Sequence, residues 1–137
     1  MSYIDKNLVV SDSQDLTGAT QYSTYSVDLG VSKLLTYGKQ LYLVSIIDVL
    51  FTSTNTTATL QINVVTSANA DLTSHEMQQQ TGFFNLADSD LTANREKIVM
   101  PIANALGIKG RYLGVQYEVG TEVFTAGNIT TYFTFDP

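Results

Sequence analysis

The sequence predicts an all-β fold: an antiparallel jelly roll or β-sandwich of about eight strands, in one domain spanning 1–137. Three observations carry this. Apolar and polar residues alternate with a period of two along most of the chain. Thr, Val, Ile, Tyr and Phe, the residues that fit a pleated and half-buried surface, are abundant, with eighteen threonines, eight tyrosines and six phenylalanines. Short runs are separated by turn signals, and hardly any stretch has helical periodicity. A chain of 15.0 kDa is long enough for a core of its own, since a domain of this size buries about 68% of its unfolded surface.

The elements follow in order. Leu8 to Val10 is apolar and reads either as a first strand or as part of an N-terminal arm over 1–10. From Tyr22 to Leu29, Tyr25, Val27 and Leu29 alternate with Thr24, Ser26 and Asp28, which predicts one strand ended by Gly30. Leu41 to Phe51 is apolar at nearly every position, as in a central strand covered on both faces or one whose outer face meets a partner. After the polar link Thr52 to Thr57, Leu60, Ile62 and Val64 face one way and Thr59, Gln61 and Asn63 the other, and these two runs suggest an antiparallel pair. The stretch from Thr66 to Gln80 has no convincing period and reads as a long loop or crossing, with room for one helical turn. Phe83, Phe84 and Leu86 suggest a short strand. Lys97 to Ile102 predicts another, with Ile98, Met100 and Ile102 inward and Pro101 marking a strand end or sheet edge. In the run Arg111–Val119, Leu113, Val115, Tyr117 and Val119 share the core face, while Gly114 leaves a gap for another backbone or a large side chain. Ile129, Thr131, Phe133 and Phe135 make the last strand.

Composition narrows the chemistry. A net charge of −6 opposes binding to nucleic-acid phosphates, which releases counterions only to basic surfaces. With no cysteine there is no disulfide framework, thiolate metal site or Cys nucleophile. Neither a signal-peptide pattern nor an apolar run of about 20 residues is present, so the expectation is a soluble protein made in a cytoplasm, with no membrane partner. The Asn55 and Asn128 sequons then carry no glycan.

The single histidine, His75, lacks the second histidine that a zinc-protease helix places four residues on, where Gln79 stands. No Gly-x-Ser-x-Gly elbow or phosphate-binding loop occurs. The acidic pairs Asp12/Asp15 and Asp88/Asp90 lack the ligand ladder of a calcium loop and read as turn or cap residues. Tyr22, Tyr37, Tyr112 and Tyr132 lie on polar sides or in links, where they either stack on a partner or cover a sheet edge. The expectation is a binding or structural protein, not an enzyme, with no cofactor and no metal.

The order of LVVSDSQDLT, VDLG, GKQLYLVSIIDVLFTS, ATLQINVVTS, RYLGVQYEV and FTAGNITTYFTFD resembles the capsid cement, or decoration, proteins of short-tailed and other tailed bacteriophages. The segment from Ala68 to Arg95 carries none of this resemblance. The resemblance implies a jelly roll on the outer surface of an icosahedral virion capsid, made in the bacterial host cytoplasm. It implies bridging of neighbouring major capsid proteins in the expanded shell and a homo-oligomer, a dimer or a trimer, without an active site.

The candidate capsid or self-contact residues are Tyr3, Ile4 and Leu8, because apolar residues near a chain end need a surface to bury them, and the loop residues Thr52, Asn55, Thr57, Phe124, Thr125 and Asn128. The competing expectation is a carbohydrate- or receptor-binding sandwich of a phage tail or fibre, using Tyr112 or Tyr132. A small glycoside hydrolase using Asp88 or Asp90 stands third.

Overall fold

The computed structural model describes residues 8–28, 42–87, 89–92, 97–102 and 111–134. Among these residues, ten strands run in chain order: β1 (Val9–Asp15), β2 (Gln21–Tyr22), β3 (Val27–Asp28), β4 (Tyr42–Thr52), β5 (Thr59–Ser67), β6 (Glu76–Gln80), β7 (Phe84–Asn85), β8 (Lys97–Pro101), β9 (Tyr112–Gly120) and β10 (Ala126–Thr134). One helical turn, α1 (Ser89–Thr92), lies between β7 and β8.

Pairing proceeds from the chain ends inward. β1 pairs with β10, β2 and β3 with β9, β4 with β8, and β5 with β6 and β7, all antiparallel. The chain is therefore one long double strand folded back on itself, and two further ladders, β10 with β4 and β9 with β5, roll it into two sheets. Their orders are β1-β10-β4-β8 and β2/β3-β9-β5-β6/β7. This is the expected jelly roll, with eight strand positions of which two are split.

The inner faces follow the alternation. Leu43, Ile47 and Phe51 of β4 and Ile129 and Phe133 of β10 meet Leu60, Ile62 and Val64 of β5 and Leu113, Val115 and Tyr117 of β9. Leu91 of α1 is fully buried in the same core. β8 is an edge strand with Ile98, Met100 and Ile102 buried and Pro101 at its end, as its pattern requires. Gly114 does leave a gap, and Leu72 fills it: a Cβ there would collide with the Leu72 side chain, which is buried with a left-handed φ of 65°.

Polar groups cross the core between the sheets. The Tyr117 hydroxyl donates to Thr131 Oγ1 at 2.7 Å and lies 2.7 Å from Ser11 Oγ; Thr131 Oγ1 lies 3.0 Å from Ser45 Oγ. Ser11 is brought inside beside Val10 by a bulge in β1, and its hydroxyl donates to Gln14 Oε1 at 2.7 Å. Burial pushes the Tyr117 hydroxyl up to about 12, against the opposing effect of its hydrogen bonds with Ser11 and Thr131.

Several expectations need correction. β4 and β5 are not a pair; they lie in different sheets, because each is a central strand already flanked on both sides, β4 by β10 and β8, β5 by β9 and β6/β7. The strand expected from Tyr22 to Leu29 is split. Ser23 N still donates to Val115 O of β9 at 2.7 Å, but the backbone at 24–25 turns to other partners: Tyr25 N donates to Val10 O at 2.8 Å and Thr24 N to Gln14 Oε1 at 2.9 Å. Tyr25 is consequently exposed, and Leu29 and Gly30 lie outside the described residues. The aperiodic stretch before Gln80 contains β6, and the short helix falls later, at 89–92. Gln61 and Asn63, on the side of β5 opposite Leu60, Ile62 and Val64, are buried as well: Gln61 Nε2 donates to Thr81 O at 2.8 Å and Asn63 Nδ2 to Gln116 Oε1 at 3.1 Å. Leu41, Phe135 and Tyr37 lie outside the described residues.

Candidate interaction surface

The topology forces two loops together. β4 ends at Thr52 in one sheet and β5 begins at Thr59 in the other, so the link 53–58 must cross between sheets. β9 ends at Gly120 and β10 begins at Ala126, so the link 121–125 crosses back. Because Thr52 pairs with Ala126 and Thr59 with Gly120, both crossings lie side by side at one end of the sandwich.

They are tied at two points. Thr125 N donates to Thr52 O at 2.7 Å, and the two threonine hydroxyls lie 2.9 Å apart. At the second point, the Glu122 carboxylate accepts from Asn55 N at 3.0 Å, Thr57 N at 3.0 Å and Asn55 Nδ2 at 3.3 Å. The Ser53 hydroxyl, the Thr57 and Asn55 amides and the Thr57 hydroxyl together hold the Glu122 carboxyl down at about 2, because each favours its charged form. Thr56 and Thr121 have left-handed φ values of 57° and 69°. Residues outside glycine keep that conformation when their surroundings over-determine it. Below the loops, the Phe51 and Phe124 rings meet edge to face at 4.7 Å, and Phe51 packs on Gly127, whose φ of 147° leaves its side open to the ring.

The structure therefore brings Thr52, Asn55, Thr57 and Thr125 together as an exposed platform. Phe124 is 1% exposed and belongs to its floor, so its side chain offers no contact surface. Asn128 lies beside the platform on β10, paired with Asp15 and donating through Nδ2 to Ser13 O at 2.9 Å. Leu8 is partly buried against the core next to Val9, which pairs with Tyr132 toward the other end of β10, so it is apart from the platform. Tyr3 and Ile4 lie outside the described residues.

Glu122 was not anticipated from the sequence, nor were the exposed apolar side chains Val123, in the same loop, and Phe83, whose ring lies next to Gly120. The only sequence signal was an acid inside the polar turn Gly-Thr-Glu.

Elsewhere the expected candidates have structural partners. His75 Nδ1 lies 3.0 Å from the Tyr22 hydroxyl, with the rings edge to face. Tyr132 is not on a solvated side: it is 1% exposed and unavailable for stacking on a sugar. Tyr112 sits under the Arg111 guanidinium, which forms a two-point ion pair with Asp28 at 2.7 and 2.9 Å. Asp15 Oδ1 accepts from Thr17 N at 2.9 Å as a turn residue, Asp12 is exposed on β1, and Asp88 lies outside the described residues. Among the described residues no group of three or more His, Asp or Glu could hold a metal ion.

Fold and loops define a β jelly-roll domain with two sheet crossings tied together at one end. The family model of Bbp16 matches residues 10–133, and the chain belongs to the Bbp16 family. No curated protein matches it.

Proposed function

We propose that the protein is a non-enzymatic structural virion protein, a cement that binds the outside of an icosahedral phage capsid and bridges neighbouring major capsid proteins in the expanded shell. The observation that carries this reading is the platform: two crossings tied by Glu122 and the Thr52–Thr125 contacts, presenting threonine and asparagine groups with Val123 and Phe83 beside them. Pre-ordered loops bind with little further loss of entropy, which suits a protein that must recognise a repeated surface. The resemblance of the chain to cement proteins and the phage or bacterial type of its family name support the same reading.

The mechanism is collective. A protein that binds the assembled lattice and not the separated subunits shifts the equilibrium toward the intact shell. A gain of about 1.4 kcal/mol per site is a factor of ten in local affinity, repeated over every equivalent position. A two-fold self-contact needs only one self-complementary patch, so a homodimer is the simplest bridging unit and a trimer the alternative.

The test is shell melting. Added to expanded, undecorated shells of the phage whose genome encodes it, the protein raises their melting temperature in a saturable way, and the double variant T52A/T125A raises it less. An unchanged melting temperature at saturating protein sinks the proposal.

A further inference from the structure

We propose that Glu122 is the positioning residue of the platform: it fixes the 53–57 loop in the shape that meets the capsid, so that removing its carboxylate weakens capture while the fold persists. This rests on the cement reading and adds to it the residue on which recognition depends.

The argument is geometric. The 53–57 loop has few other anchors: Thr56 N reaches Ser53 O only at 3.4 Å, Thr56 Oγ1 returns to the neighbouring Asn55 O, and Ala58 N meets Ser53 Oγ at 3.4 Å. Against these weak local bonds, the Glu122 carboxylate takes two backbone amides and a side-chain amide at 3.0 to 3.3 Å. Hydrogen bonds to an ionised acceptor are about twice as strong as neutral ones. The acid is itself held in place, for Glu122 N donates to Gly120 O at 2.8 Å in the turn where Thr121 is left-handed. One side chain thus links two strand crossings that lie 65 and 67 residues apart in sequence at the amides it binds. Among the described residues, Ser53 to Thr57, and Ala19, Thr20, Gly120, Thr121 and Val123 around the adjoining recess, carry no ionisable side chain that would compete for it.

Removing the clamp leaves the core untouched, since Phe51, Phe124 and Gly127 pack below it. What changes is the ordering that the loop must undergo on binding.

The experiment compares wild type, E122Q and E122D by three readouts: circular dichroism, hydrogen exchange at the Asn55 and Thr57 amides, and binding kinetics on immobilised expanded shells. Glutamine keeps the shape but loses one acceptor oxygen and the charge; aspartate keeps the charge but falls a methylene short. Both variants retain the β spectrum, lose protection at Asn55 and Thr57, and bind about tenfold or more weakly, E122Q showing the slower association. Wild-type binding with either folded variant equally tight overturns the inference and leaves the cement reading intact. Protection unchanged in both variants also overturns it, whatever the affinities. Failure of the wild type to bind shells overturns both readings at once.

Discussion

At Gly127 the backbone has a φ of 147° and the Phe51 ring occupies the space where a side chain would begin. Alanine at that position must strain the backbone and push back a ring that is also packed on Phe124, with a cost of about 1–3 kcal/mol. Chemical denaturation of G127A is expected to show a lower midpoint with an unchanged slope; equal midpoints would contradict the packing described. Tyr117 makes a second prediction at this scale. Its hydroxyl is held up at about 12, against an ordinary value of 10.0 that applies in the unfolded chain. The raised value means that the folded state retains its proton where the unfolded state has lost it. The stabilisation is therefore full below pH 10 and is lost as the pH rises toward 12. Tyr117→Phe should flatten that part of the stability curve, and at neutral pH should cost about 1–2 kcal/mol through the partners left on Thr131 and Ser11. Denaturation midpoints measured from pH 8 to pH 12, in both proteins, check both statements.

The two sheet crossings, as elements, depend on acid in the opposite direction. Glu122 titrates at about 2 in the folded protein against 4.5 ordinarily, so its contribution is present above pH 4.5 and is lost as the pH falls toward 2. The difference in stability between wild type and E122Q is expected to shrink over that interval, as followed by thermal unfolding; a difference independent of pH would place the stabilisation elsewhere. The clamp also shows what the sequence could and could not say. Strand phase was legible, because Leu60, Ile62 and Val64 or Ile98 and Met100 need nothing beyond alternation to declare their buried face. Pairing was less so: β4 and β5 are neighbours in the chain and in pattern, yet their partners are β10 and β9, strands far along the sequence. The polar edge strand β6 has no apolar face to alternate, and so it read as loop. Turn composition marked both platform loops, but nothing local reveals that an acid in one accepts from the amides of the other. The polar pattern around Tyr132 likewise suggested a solvated ring where the structure buries it.

For the whole molecule, the jelly roll explains why the platform exists. Rolling a double strand into two sheets obliges the chain to cross repeatedly between them, and at this end two crossings lie close enough to be tied together. The core supplies the rigid base through the Phe51–Phe124 contact and the Tyr117 hydroxyl network, and the crossings supply the surface. On the proposed function, this surface meets a lattice that exists only after shell expansion. The most direct measurement is cosedimentation of the purified protein with expanded, undecorated shells, beside unexpanded shells and free capsid subunits. Saturable binding to the expanded shells alone is the predicted result. Absence of binding to every shell form, or equal binding to free subunits, would contradict the account.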